Sequence, residues 1–62
     1  MNKEEIKQML EELTEDVSKE CEKIQRCVDT DQFDRARDLL EHMRGYVEIR
    51  MNVILKKAGF EN

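Results

Sequence analysis

Two long stretches with apolar side chains at helical spacing are separated by four polar residues, Asp29-Thr30-Asp31-Gln32, and the whole chain contains no proline. Proline inside a helix removes a backbone donor and clashes with the preceding turn, so its absence lets each stretch run as one helix. Apolar residues at three- and four-residue intervals share one side of a helix, whereas a half-buried strand needs strict alternation. The chain is therefore expected to be all-α and a single domain over residues 1–62. It should form an antiparallel helical hairpin, with a helix over about 2–28, a turn at 29–31 and a helix over about 32–58.

In the first helix Ile6, Leu10, Leu13, Val17, Ile24 and Cys27 make a heptad-like stripe that is interrupted at Glu20. Asn2 can cap the first turn, with Glu5 three residues on as the reciprocal partner. Glu, Lys and Gln, all strong helix formers, fill the positions between. Glu20 is expected at the rim of the seam and solvated, the alternative being a pair with Arg37 or Arg44 across the hairpin.

The polar linker suits a tight turn between antiparallel helices. Asp and Thr side chains accept hydrogen bonds from the free amides of a helix start. One of them is expected to cap the second helix, with Asp29 and Gln32, or Asp31 and Asp34, as reciprocal pairs. The second helix repeats Ala36, Leu40, Met43, Val47, Met51, Ile54 and Ala58, flanked by Leu39, Tyr46, Ile49 and Val53. On a wheel of about 100° per residue these cover roughly 200°, wider than the ~100° stripe that one partner helix needs. Arg50 and Lys57 interrupt the arc, and their aliphatic stems can lie on apolar surface while the charges reach water. Lys56 and Lys57 complement the dipole of the last turn, Gly59 suits the left-handed position after it, and Phe60 can fold back as the apolar contact. Gly45, mid-helix, costs about 1 kcal/mol relative to Ala. Close approach of another backbone is one reason for it, and a position without function is the other.

A hairpin has one seam, which leaves most of the second helix's arc in water. Apolar patches beyond a few hundred Å² usually mark an interface. The expected solution is a second copy, giving a dimeric four-helix bundle, or a groove or helix on another protein. Leu39, Met43, Tyr46, Val47, Val53 and Ile54 are the candidates for self-association.

Composition excludes much else. A chain of 62 residues is near the lower limit for folding alone. Its longest apolar run, Val53-Ile54-Leu55, is far too short to span a bilayer, and no apolar signal core opens the sequence. The formal net charge of −4 disfavours a nucleic-acid surface, which needs clustered cations. Cys21 and Cys27 on one helix would lie about 9 Å apart along the axis and roughly 120° apart around it, too far to bridge. Both are expected as small core residues in a reducing compartment such as the cytoplasm, with an intermolecular disulfide or redox thiol as the alternative. His42 is the only histidine, so no metal site is expected, nor any cofactor. There is no glycine-rich phosphate loop, Ser18 is the only serine, and neighbouring carboxylates such as Glu4-Glu5 and Glu11-Glu12 diverge around the helix. Enzyme activity is not expected.

Two resemblances bear on function. In length and architecture the chain resembles the plasmid ROP family, whose hairpins dimerise into bundles that hold paired RNA loops. The likeness is one of shape. The first helix here carries eight acidic and five basic residues and no aromatic. It implies a free-standing homodimeric regulator, with RNA binding disfavoured. The stretch Asp31-Gln32-Phe33-Asp34-Arg35-Ala36-Arg37-Asp38-Leu39-Leu40-Glu41-His42-Met43-Arg44 resembles the last helix pair of J-type iron–sulfur co-chaperones of the HscB kind. Those proteins end with an Asp-x-Phe/Trp-x-x-Ala turn, then Leu-x-x-Met/Leu-Arg, an aliphatic position and a basic end. Ile49 and Leu55-Lys56-Lys57 fit that ending. The resemblance implies a protein-binding domain for an iron–sulfur scaffold. Its docking face would correspond to Met9, Leu10 and Leu13 of Met9-Leu10-Glu11-Glu12-Leu13, with Tyr46 beside Gly45, which holds the family's aromatic position. An intervening family helix has no counterpart here, and the His-Pro-Asp signature of a J-domain is absent from a chain without proline.

Overall fold

The structure is a computed structural model that describes residues 3–59. It is a hairpin of two antiparallel helices, α1 over Lys3–Asp29 and α2 over Phe33–Ala58. The expected cap at Asn2 and the apolar contact at Phe60 lie outside the described residues. The hairpin is long and flat, with principal extents of 45 × 21 × 9 Å.

The polar linker finishes α1 rather than starting α2. Asp31 takes the left-handed conformation, with φ 59°. Its amide donates to Val28 O at 3.1 Å and the Gln32 amide donates to Cys27 O at 2.7 Å. This pair of bonds is the Schellman pattern, with Asp31 where glycine is most common. Asp is one of the few residues that tolerate that backbone region. Thr30 Oγ1 donates to Arg26 O at 2.8 Å and receives a bond from Gln32 Nε2 at 2.9 Å. No side chain caps α2, because Gln32 precedes it with φ −90° and ψ 64°, away from the extended geometry of a capping residue. The expected reciprocal pairs are thus replaced by a C-terminal cap on the preceding helix. At the other end Gly59 is left-handed, with φ 73°, and its amide reaches Leu55 O and Lys56 O.

The seam runs through Ile6, Met9, Leu13, Val17, Glu20, Ile24 and Cys27 of α1, and through Ala36, Leu39, Met43, Val47, Arg50, Ile54 and Ala58 of α2. Ile24, Cys27 and Ala36 form its best-buried cluster, with Leu39 and Met43 packed on it. The pattern corrects the expected stripes at three places. Leu10, Leu40 and Met51 are 47%, 49% and 50% exposed, and Met9, Leu39 and Arg50 take the seam positions beside them. Packing along the whole length of one partner favours a repeat near 3.5 residues, and that repeat passes through Glu20 and Arg50. The long stems of those two side chains fill the seam while their charged ends reach its edge. Among the described residues no side chain is less than 2% exposed. The helix pair therefore shields none of these apolar residues completely.

Candidate interaction surface

The seam divides the flat hairpin into two broad faces of different chemistry. In an antiparallel pair, residues displaced the same way around each helix from the seam emerge on the same face. The polar contacts between helices fix one face. Tyr46 Oη donates to Asp16 Oδ2 at 2.6 Å. Arg50 Nη2 lies 4.0 Å from Glu12 Oε2, and Lys57 Nζ lies 3.1 Å from Glu5 Oε1. All three links sit on the same side of the seam, like rungs, and we call this the bridged face. Tyr46 has its phenol pKa raised from 10.0, chiefly because the neutral hydroxyl is held by the Asp16 carboxylate, then by desolvation and by the Asp16 charge. Arg50 Nε is buried without a hydrogen-bond partner. Glu20 pairs with Lys23 of its own helix at 3.3 Å, and Arg44 pairs with Glu41 of its own helix. Neither reaches across the hairpin to the other.

The opposite face has no such links among the described residues. Leu10 and Val28 of α1 and Phe33, Leu40, Met51 and Leu55 of α2 are all exposed, Phe33 to 59%. About 100° of rotation per residue turns all six to the side away from the Asp16–Tyr46 bond. Read from the turn outwards in the register of the Asp16–Tyr46 bond, Val28 lies level with Phe33, Cys21 with Leu40, and Leu10 with Met51. Val17 and Val47 are half-buried beneath this strip, and the thiol of Cys21 is exposed on it. A shallow depression lined by Leu40, Met43 and Val47, with Glu41 and Arg44 at its rim, marks its centre on α2.

The residues expected to bind partners fall on several surfaces. Leu13 and Ile54 are buried in the seam. Met9, Leu39, Met43 and Val47 are half-buried. Tyr46 and Val53 emerge with Ile49 on the flank of the bridged face, and Leu10 emerges on the apolar face. The broad arc of α2 is thus two flanks divided by a seam. Val28, Phe33, Leu40, Met51 and Leu55 complete the apolar face, and their signal lay in apolar residues left over once a 3.5-residue seam is drawn. Cys27 is buried as expected, but Cys21 is exposed, so the two cysteines have different surroundings. No group of His, Cys, Asp or Glu that could hold a metal occurs among the described residues, and no helix there is long and apolar enough to cross a membrane. Gly45 faces away from the seam, with nothing within 4 Å of a Cβ placed there, so no backbone of this hairpin approaches it closely.

Comparison of the chain with known protein families, with characterised proteins and with solved structures found no match.

Proposed function

We infer that the chain is a non-enzymatic protein-interaction module that works through its apolar broad face. One observation carries this reading: Leu10, Val28, Phe33, Leu40, Met51 and Leu55 are exposed together, on the face that lacks the polar rungs. Burying such a face is favourable by about 25 cal/mol for each Å² of apolar surface removed from water. A helical surface of matching shape is the simplest cover. The double variant L40E/M51E tests it. The variant should keep its helical circular-dichroism spectrum and lose the association expected of the parent chain in sedimentation equilibrium. A parent chain that associates, with a variant that associates equally, overturns the reading.

The similarity to the scaffold-binding domain of the HscB-type co-chaperones supplies a second reading, in which the partner is an iron–sulfur scaffold protein. The exposure of Leu10 on the apolar face favours it. Leu13 in the seam and Tyr46 on the bridged face weigh against one continuous docking site built from Met9, Leu10, Leu13 and Tyr46. A calorimetric titration with a purified scaffold protein decides the matter. Binding that is lost in Leu10→Asp supports it, and absence of binding by the parent chain removes it.

A further inference from the structure

We propose that the apolar face receives a second copy of this chain, turned end for end, about a twofold axis that crosses the hairpin at the level of the Asp16–Tyr46 bond. The proposal rests on the interaction reading above and adds the occupant and its orientation.

The area fits. A face of 45 × 21 Å is on the order of 900 Å², and a standard interface takes about 800 Å² from each partner. A second hairpin has the same outline and covers the face from end to end.

The middle of the face, from Leu10 to Cys21 and from Leu40 to Met51, is self-complementary when its order is reversed. On α2, reversal about the level between Gly45 and Tyr46 sets Leu40 against Met51, and Arg44 against Val47 and Glu48 of the copy. On α1, reversal about the level between Glu15 and Asp16 sets Leu10 against Cys21 and Thr14 against Val17. These two levels coincide across the hairpin, because Asp16 and Tyr46 are bonded to each other. One axis therefore serves both helices. Such a contact is isologous and closes at two copies, with no tendency to extend. It also brings Arg44, the cation nearest the centre of the strip, to a carboxylate of the other copy.

Charge selects this orientation over stacking with both turns at one end. The turn end, residues 24–38, holds the acids Asp29, Asp31, Asp34 and Asp38 against the bases Arg26, Arg35 and Arg37. The open end, among the described residues, holds the bases Lys3, Lys7, Lys56 and Lys57 against the acids Glu4 and Glu5. The ends thus carry opposite excess charge. End-for-end stacking joins unlike ends at both extremes, and same-end stacking joins like ends. At physiological salt such interactions are screened beyond about 8 Å, so they set orientation more than affinity.

The test is a distance between copies. A single spin label is placed at Asp34→Cys, near the turn and outside the apolar strip, in a chain carrying Cys21→Ala and Cys27→Ala, which keep both positions apolar. Circular dichroism checks that the helices persist. A second chain labelled at Lys56→Cys reads the same geometry from the open end. With a rise of about 1.5 Å per residue, end-for-end stacking separates the two Asp34→Cys labels by roughly 35 Å or more. Same-end stacking brings them within about 20 Å, since packed helices lie about 10 Å apart. A dimer in sedimentation equilibrium with the long distance for both labels supports the proposal. A dimer abolished by L40E/M51E that gives the short distance overturns the orientation and leaves the interaction reading standing. A parent chain that remains monomeric up to several hundred micromolar overturns the second copy as occupant. A dimer unaffected by L40E/M51E overturns the reading and the proposal together.

Discussion

Tyr46 and Asp16, thirty residues apart in sequence, are joined by a 2.6 Å hydrogen bond that ties the middle of α2 to the middle of α1. The raised pKa of Tyr46 follows from this bond, and it fixes a direction with pH. A group whose pKa is higher in the folded state stabilises the fold below its unfolded pKa and loses that contribution as pH rises through the folded value. Stability from this link should be full up to about pH 10 and decline above it. Thermal melts of the parent and of Tyr46→Phe at about pH 8 and about pH 11 check this. The parent should melt higher at the lower pH, and the gap between the two chains should shrink at the higher pH. The paired comparison cancels the lysines, which titrate in the same range.

Ile54 and Leu40 should respond differently to truncation. Ile54 is buried in the seam, so Ile54→Ala should destabilise the hairpin by about 2–3 kcal/mol. Leu40 is half exposed, so Leu40→Ala should change the stability of an isolated hairpin by no more than about 0.5 kcal/mol. Urea melts at low chain concentration measure both.

Arg50 should be replaceable. Its side chain is 31% exposed and its Nε is buried without a partner, while the Glu12 carboxylate stands 4.0 Å from Nη2. An apolar side chain at this seam position removes the unsatisfied donor and keeps the packing. Arg50→Met should leave stability unchanged or raise it by about 1 kcal/mol, read from the urea midpoint.

Gly45→Ala should stabilise α2 by about 1 kcal/mol, because the helix needs no glycine there and the added methyl meets nothing within 4 Å. Asp31 behaves oppositely. Its left-handed backbone, with φ 59°, makes Asp31→Val destabilising by about 1–2 kcal/mol. Asp31→Gly should be neutral or better. Helicity and melting temperature of the three variants test the pair of positions.

Helix existence and extent were legible in the sequence because unbroken helical periodicity without proline admits no other regular structure. The expected helices and the observed Lys3–Asp29 and Phe33–Ala58 differ by single residues at their ends. Gly59 was legible for the same reason, since a glycine after two lysines marks a helix end. Three choices were not. Met9 or Leu10, Leu39 or Leu40, and Arg50 or Met51 are neighbours that differ by about 100° around the helix. Apolarity alone favours Leu10 and Met51 for the seam. The structure puts Met9 and Arg50 there, because a seam follows the axis of its partner over many turns and accepts a polar residue where the line passes. The turn was misread because Asp and Thr suit a helix start and a helix end alike. Only the left-handed φ of Asp31 distinguishes the two uses.

The absence of any side chain shielded below 2% exposure has a consequence for how this molecule melts. With no dry centre of its own, a hairpin covered by the proposed second copy would draw cooperativity from that cover. In that dimer the amide protons should exchange through openings that become rarer as chains are added to the solution. The midpoint of the thermal transition should then rise with chain concentration, and a midpoint independent of concentration counts against the second copy.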